Sequence, residues 1–230
     1  MKNFFMVSFL VLIFTLGGGR YVSPVHAETE RYDFPACRVE LATSYPHPIS
    51  PMPAITTVPQ AVKNTASTDH DVIRKQNEAK RKSIAALLQR YNKKLSDEKA
   101  YEYAILIIQT SEKFRQNPFV IAAMVVNESS ARPDVISRGG DYGLMQVRWR
   151  VHHKKIKKQY PHVTKANDIL NPKVNLLVGT EIFSIYRDTA NKDVREALIY
   201  YTGGNHAHAD KVFATIAQLE KSYKERLDNI

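Results

Sequence analysis

Long apolar stretches separated by polar boundaries predict that most of this chain is helical. Residues 118–129 are apolar at nearly every position and residues 101–114 hold a similar run, so both are predicted to be buried helices. At Asn117-Pro118 a capping side chain precedes a proline in the first helical position, which indicates where a helix begins. The same pair of residue types at Asn171-Pro172 predicts another helix, with apolar positions from Leu176 to Tyr186.

Three other segments favour helix through their composition and are predicted at residues 71–95, 193–201 and 208–227. In the first of them, one apolar face is predicted, formed by Ala85, Ala86, Leu87 and Tyr91. Between residues 132 and 151 several glycines indicate a loop with at most a small hairpin. No long alternating pattern of a strand is found, so the fold class is predicted to be mostly α.

The first residues have the pattern of an export signal. Lys2 precedes an apolar run from Phe4 to Leu16, and the small residues Val25 and Ala27 stand where a signal peptidase recognises its site. We expect a signal peptide at residues 1–27, followed by a periplasmic or cell-wall-associated protein. The alternative is a retained anchor, but the run is shorter than the roughly 20 residues a spanning helix needs.

A proline-rich stretch follows the predicted signal. Five prolines lie between residues 45 and 59, which excludes a helix or a central strand there. We therefore interpret residues 28–70 as an extended N-terminal leader or linker, with an ordered arm packed on the domain as the alternative. Residues 71–99 are interpreted as a basic helical arm, and residues 100–226 as the main domain.

The net charge and the cysteine count limit the classes of partner and of metal site that the chain can have. The formal net charge is +10, which favours polyanionic partners such as nucleic acid, anionic lipid or wall polymers. Export argues against nucleic acid. The single cysteine, Cys37, excludes a disulfide-stapled scaffold and a cysteine-rich zinc site. His206 and His208 form a His-x-His pair without an evident third ligand, so we expect no metal and no cofactor.

The candidate catalytic residue is Glu128, at the end of the apolar helix 118–129. A carboxyl group there faces the negative end of the helix dipole, and burial beside Met124 and Val125 would also disfavour its ionised form. Both effects favour the protonated state that a general acid requires. The alternative is an ordinary surface glutamate at a frayed helix end.

A set of short motifs, in one order over residues 100–225, resembles the lysozyme-like domain of soluble lytic transglycosylases. The motifs are Glu128-Ser129, Pro133, Ser137, Gly140, Gly143-Leu144-Met145-Gln146, Asn171-Pro172, Asn175, Gly179-Thr180, Ala197-Leu198, Tyr201 and Gly204. The chain departs from the family pattern at Arg132, Asp141, Arg148-Trp149 and Thr202. The resemblance implies a lysozyme-like α-helical domain with a glycan-binding groove.

The same resemblance implies cleavage of the β-1,4 bond between N-acetylmuramic acid and N-acetylglucosamine in peptidoglycan. Glu128 would act first as acid and then as base, and the sugar's own 6-hydroxyl would close a 1,6-anhydro ring. By the same resemblance Ser137 and Gln146 would line the groove and hydrogen-bond the acetamido and hydroxyl groups, Met145 would form an apolar wall, and Tyr201 would form a hydrogen bond near Glu128. For Met145 and Tyr201, plain core packing is the alternative.

Two other functions stay open at this point. A goose-type, lysozyme-like hydrolase would need a second carboxylate, and Asp141 is the candidate, although aspartate also suits a turn in Gly-Gly-Asp-Tyr-Gly. A wall-binding accessory of a secretion or conjugation apparatus would bind peptidoglycan with little turnover. The expected partners are glycan strands and such envelope machinery, and the protein is expected to be a monomer.

Overall fold

The computed structural model describes the backbone of residues 62–229 and the side chains of residues 70–229. The predicted signal peptide and residues 28–61 of the predicted leader lie outside these residues. The elements are α1 (Val62–Tyr91), α2 (Asp97–Lys113), α3 (Pro118–Ser129), β1 (Asp141–Tyr142), β2 (Val147–Arg148), α4 (Trp149–Gln159), a 3-10 turn (Ala166–Leu170), α5 (Pro172–Thr189), α6 (Val194–Tyr201) and α7 (His206–Leu227). The prediction of a mostly-α fold with a small hairpin is confirmed.

Helix α3 lies at the centre of the described core. Residues 119–126 are all buried, because neighbouring helices cover every side of this apolar segment. Asn117 begins the helix as predicted, and its side chain accepts a hydrogen bond of 2.8 Å from the amide of Phe119. The helix ends at Ser129, and the next residue, Ser130, adopts the left-handed conformation typical of a helix C-terminus.

Helices α3 and α7 pack antiparallel. Near one end, the rings of Phe119 and Tyr223 meet edge to face with centroids 5.4 Å apart. Near the other end, the side-chain amide of Asn127 donates a 3.0 Å hydrogen bond to the hydroxyl of Thr215. These contacts fix the register of the two helices and bring the first turn of α7 beside the last turn of α3.

Helix α1 begins at Val62, within the stretch predicted as leader, and packs against α2, α3 and α7. The predicted apolar face is partly wrong: Tyr91 is exposed, while Ile84, Leu87 and Leu88 are buried. Ile84, Leu87 and Leu88 are three or four residues apart and therefore lie on one face of the helix. They belong to the same hydrophobic cluster as the buried residues of α2 and α3. The boundary between arm and domain stays a prediction.

The first residues of α2 and α7 are determined by capping side chains, and the apolar pattern alone places both starts too late. The hydroxyl of Ser96 accepts a hydrogen bond from the amide of Lys99, so α2 begins at Asp97 and not near Tyr101. Helix α7 likewise begins at His206, two residues before its predicted start, because Asn205 caps it. Within the described residues, no helix combines the length and the apolar character needed to cross a membrane.

Candidate active site

Glu128 lies in the last turn of α3, and its side chain is 14% exposed. Its oxygen Oε1 is buried. The accessible part of the carboxyl group is therefore Oε2, which is the oxygen that a ligand can reach. The side chain of Glu128 is therefore mostly shielded from solvent rather than placed on the open surface.

The partner of Glu128 is His208, from the first turn of α7. The nitrogen Nε2 of His208 lies 3.2 Å from Oε1 of Glu128, and the side chain of His208 is 15% exposed. Neither atom has a hydrogen-bond partner among the described residues, so the two atoms are close together but are not aligned as a hydrogen bond. Because Asn205 caps α7 through the amide of His208, the positive end of that helix dipole lies next to Glu128.

A tight loop, Gly143–Gln146, is held beside the end of α3 by the buried side chain of Asn175 on α5. The oxygen of Asn175 accepts a 2.7 Å hydrogen bond from the amide of Met145, and its nitrogen donates at 2.7 Å to the carbonyl of Tyr142. Gly143 has a φ of +72°, and a Cβ there would lie 2.4 Å from the side-chain nitrogen Nδ2 of Asn175. Only glycine fits this position.

Three more side chains secure the same loop. The hydroxyl of Ser129 donates a 2.9 Å hydrogen bond to the carbonyl of Leu144, which ties the loop to the residue after Glu128. The hydroxyl of Tyr201 donates at 2.8 Å to the carbonyl of Met145. The side-chain amide of Gln146 donates at 2.9 Å to the carbonyl of Gly143. Helices α3, α5 and α6 therefore all position one loop.

Asp141, on β1, is bound on both oxygens. Arg148 donates from Nε at 2.6 Å to one oxygen and from Nη2 at 3.1 Å to the other, which also accepts a 2.9 Å hydrogen bond from Ser137. Burial raises the pKa of Asp141, but the hydrogen bonds from Arg148 and Ser137 outweigh it and hold the pKa below its ordinary value. This carboxylate is therefore tied into the hairpin and stays ionised.

Tyr201 and Tyr186 are buried phenols whose pKa values are affected by the charged side chains near Glu128. Burial raises the pKa of Tyr201 well above its ordinary value, and the negative charges of Glu128 and Asp141 add to that effect. Burial also raises the pKa of Tyr186 on α5, against the opposing effect of the Arg148 guanidinium. Both phenols therefore stay neutral at physiological pH, and Tyr201 donates its hydroxyl proton to the carbonyl of Met145.

The residues predicted to bind substrate are brought together, but not all are accessible. Ser137 and Gln146 are partly buried, and both use their side chains to hold the loop and hairpin. Met145 is fully buried and packs against Gly179, so in this structure it supports the loop from behind. Tyr201 bonds to the loop rather than to Glu128. Contacts of these side chains with glycan stay a prediction.

Sequence reasoning misses the roles of His208, Arg148 and Asn175. Asn175 stands out only as part of a motif, and nothing in the sequence shows that it clamps Met145. His208 stands out solely as a possible metal ligand. Its separation from Glu128 along the chain hides the contact, which depends on the antiparallel register of α3 and α7. Among the described residues, no cluster of three or more His, Cys, Asp or Glu side chains is placed to hold a metal ion.

Comparison with known proteins adds an independent observation. The family model described as the Transglycosylase SLT domain matches residues 105–224, just over half of the chain. No curated protein matches the sequence at a significant level. The matched region begins within α2 and ends within α7, and it includes Glu128, the loop Gly143–Gln146, Tyr201 and His208.

Proposed function

Because the chain belongs to the transglycosylase SLT domain family, we propose that it cleaves the β-1,4 bond between N-acetylmuramic acid and N-acetylglucosamine and leaves a 1,6-anhydro end. The family acts on peptidoglycan glycan, and the domain is lysozyme-like. The specific bond, the product and the role of Glu128 are the content of the proposal. Glu128 is the proposed catalytic residue, acting as both acid and base.

The observation that carries the proposal is the state of Glu128. It is a mostly buried carboxyl group with Oε2 accessible, held next to a loop that three helices position. A rigid setting of this kind favours proton transfer to one fixed point, because the carboxyl group loses little freedom on reaching the transition state. The accessible oxygen is thus the one proposed to meet the glycosidic oxygen.

The proposed reaction has two proton transfers. Protonated Glu128 gives its proton to the glycosidic oxygen, the bond to C1 of the muramic acid breaks, and the N-acetylglucosamine part leaves with a new hydroxyl. The carboxylate then takes the proton of the 6-hydroxyl while O6 bonds to C1. The proton on Glu128 is restored, and no water is consumed. We propose that the 2-acetamido group of the sugar stabilises C1 between the two steps.

The environment of Asp141 supports this route over hydrolysis. An inverting hydrolase needs a second carboxylate that is free to deprotonate a water molecule. Asp141 instead accepts hydrogen bonds from Arg148 and Ser137, and its pKa lies below the ordinary value, since these bonds outweigh the opposing effect of burial. A carboxylate held in this way is a weak base. Its arrangement favours a structural role in the hairpin.

Mass spectrometry of the products tests the proposal. The protein, its Glu128→Gln variant and a Glu112→Gln control are each incubated with purified peptidoglycan sacculi. Glu112 occupies the equivalent place near the end of α2 and is exposed, so this control reproduces the change of charge at a helix end. We expect products lighter than hydrolysis products by one water molecule, from the protein and the control only. Reducing-end products would indicate a hydrolase, and binding of sacculi without any product would favour the accessory function.

The place of action is also part of the proposal. We propose that the predicted signal peptide exports the chain and that the mature protein acts as a monomer on glycan strands in the periplasm or wall. The full sequence has a formal charge of +10, and removal of the predicted signal peptide with Lys2 and Arg20 leaves +8, which supports binding to an anionic wall. Local clearing of the wall for secretion or conjugation machinery is compatible with this placement. Detection of the protein in a periplasmic or wall fraction tests it.

A further inference from the structure

A cavity lies between α1 and the last turn of α7, at the opposite end of α7 from Glu128. Its volume is about 810 Å³, within the range of roughly 300–1,000 Å³ that is typical of ligand sites. The cationic side chains that line it are Arg74, Lys75, Arg81 and Lys82 from α1 and Arg226 from α7. Among the described residues of the lining, the one acidic side chain is Glu78. The excess of positive charge favours an anionic ligand.

Glu78 is held by three neighbours and positions two of the cations. Its Oε2 accepts a 2.6 Å hydrogen bond from the hydroxyl of Tyr101 on α2 and lies 3.8 Å from Nη1 of Arg81, while its Oε1 lies 3.5 Å from Nζ of Lys82. The hydrogen bond from Tyr101 lowers the pKa of Glu78, and Lys82 and Arg81 add to this against the effect of burial. Because two cations share this one carboxylate, both keep hydrogen-bond donors for a second anion.

Arg226 is the cation of this cavity whose charge the described residues leave uncompensated. It lines the cavity from the last turn of α7 and forms no ion pair with a described residue. Its Nε is buried and has no hydrogen-bond partner among the described residues. A partly buried guanidinium with unused donors is costly unless a ligand accepts them. The planar fork of arginine fits a carboxylate through two parallel hydrogen bonds.

We propose that this cavity is a second binding site for peptidoglycan, in which the cations of α1 and Arg226 of α7 bind the carboxylates of a peptide stem. The inference rests on the proposed function for its substrate, because the family acts on peptidoglycan. The cations stand on two helices, so they can contact more than one carboxylate of the same peptide. The methylene groups of the lysine and arginine side chains offer apolar contacts to the rest of the stem.

The cavity is separated from the candidate active site by most of the length of α7. His208 lies beside Glu128 in the first turn, and Arg226 follows it by 18 residues on the same helix. At 1.5 Å per residue this corresponds to roughly 27 Å along the helix axis. A stem of about five residues spans only about 18 Å when it is fully extended. The cavity is therefore placed to hold a stem from another disaccharide of the strand, or from a neighbouring strand, rather than the stem of the sugar at Glu128.

An anionic membrane surface is the competing ligand, and the shape of the site argues against it. Helices that bind a membrane surface present a broad apolar face together with their cations. Among the described residues that line the cavity, the apolar one is Ala79, and it is only 3% exposed. A concave site with charged walls suits the separate carboxylates of a peptide better than a flat layer of headgroups.

Direct binding tests the site without using activity. A synthetic stem peptide of alanine, γ-linked glutamate and diaminopimelate is titrated by calorimetry into the protein, its Arg226→Gln variant and an Arg90→Gln control. Arg90 is exposed in the last turn of α1 and does not line the cavity, so the control removes the same charge elsewhere. We expect the Kd to rise about 10-fold in Arg226→Gln and to stay unchanged in Arg90→Gln. The same peptide with its carboxylates converted to amides should bind the protein about 10-fold more weakly.

Three results of this titration would overturn the proposal. They are the absence of measurable binding, equal Kd values for the protein and Arg226→Gln, and equal affinity for the acidic and the amidated peptide. Vesicles containing phosphatidylglycerol are tested with the same proteins. Binding of these vesicles that depends on Arg226, without binding of the peptide, would assign the cavity to anionic lipid instead.

Kinetics on two substrates test the consequence for turnover. Rates are measured on sacculi with their stems and on glycan strands from which an amidase has removed the stems. For Arg226→Gln we expect the KM on sacculi to rise about 5- to 10-fold with kcat unchanged, because the cavity binds substrate and takes no part in the chemistry. Both constants should stay unchanged on the stripped strands, which also shows that the variant is folded. Equal rises of KM on both substrates would contradict the binding of stems. Absence of the anhydro product from the protein itself would contradict the proposed function and leave the peptide titration intact.

Discussion

The hydroxyl of Tyr201 donates a 2.8 Å hydrogen bond to the carbonyl of Met145. Both residues are predicted from the sequence to contact glycan, and the structure joins them to each other. Tyr201 ends α6, while Met145 lies in the loop beside Glu128, so the bond fixes the distance between a helix end and the site. We therefore expect that a substitution of either residue mainly changes the shape of the loop.

Removing this hydrogen bond tests that role. Tyr201→Phe leaves the carbonyl of Met145 without this donor in a buried setting, so we expect the free energy of unfolding to fall by about 1–2 kcal/mol and the activity on sacculi to fall several-fold. Urea unfolding and product release measure the two effects. Tyr200→Phe on the same helix removes an exposed hydroxyl that contacts Glu196, and it should change stability by less than about 0.5 kcal/mol. Equal effects of the two changes would contradict the role given to Tyr201.

Gly143, in the hairpin loop, and Gly140, directly before β1, provide a matched pair. Gly143→Ala places a Cβ 2.4 Å from the amide nitrogen of Asn175 and retains a φ of +72°, so it suffers both a clash and backbone strain. Gly140 has a φ of +75°, and a Cβ at this position would have no neighbouring atom within 4 Å, so Gly140→Ala suffers strain alone. We expect a loss of about 1 kcal/mol for Gly140→Ala and at least about 2 kcal/mol more for Gly143→Ala, measured by urea unfolding. Similar losses would show that Asn175 yields to the clash.

Asp141→Asn tests the choice between a lyase and a hydrolase. Because Arg148 and Ser137 hold this carboxylate, we expect the 1,6-anhydro product to persist and the activity to fall only several-fold as the hairpin loosens. The free energy of unfolding should fall by about 1–2 kcal/mol, as expected for a charge-assisted hydrogen bond. Product mass spectra and initial rates provide the measurement. A loss of turnover of about 100-fold or more, with the fold intact, would be the result expected of a general base.

Because His152 is half-buried, we expect the free energy of unfolding to fall at acid pH. Burial, together with the charges of Lys155 and Arg148, lowers the pKa of His152 to about 4 from 6.5. Between these values the folded protein binds fewer protons than the unfolded chain, so stability falls as the pH falls from about 6.5 to about 4, by up to about 3 kcal/mol. His152→Gln should remove this part of the loss, as urea unfolding at pH 7 and pH 4.5 can show. His206→Gln, at an exposed position, should lose as much as the protein itself.

Much of the fold can be predicted because its signals are local. The apolar run of α3 and the caps Asn117 and Asn171 mark helices whether or not the rest of the chain is known. The apolar pattern places the starts of α2 and α7 too late, because Ser96 and Asn205 cap polar first turns that carry no such pattern. On α1 the buried set depends on which side α2 and α7 cover, and composition does not contain that information.

The site is predictable as a motif and not as a geometry. Glu128, Gly143 and Tyr201 are recognised from the order of the motifs along the chain, which is visible without knowing the fold. The roles of Asn175 and His208 depend on contacts between residues that lie 30 positions or more apart in sequence. Such contacts follow from the packing of helices, because a change of one turn in register would move either side chain away from its partner.

The helical class, the capped starts of α3 and α5, and the candidate acid Glu128 can all be read from the order of the residues alone. They follow from side-chain size, polarity and hydrogen bonding within a few residues of each other. The folded chain was needed to show that Asp141 is bound by Arg148, that Met145 is buried, and that His208 meets Glu128. The physical reason is that burial and hydrogen bonding at a site depend on which surfaces the helices bury together, and that is a property of the packed core rather than of any one segment.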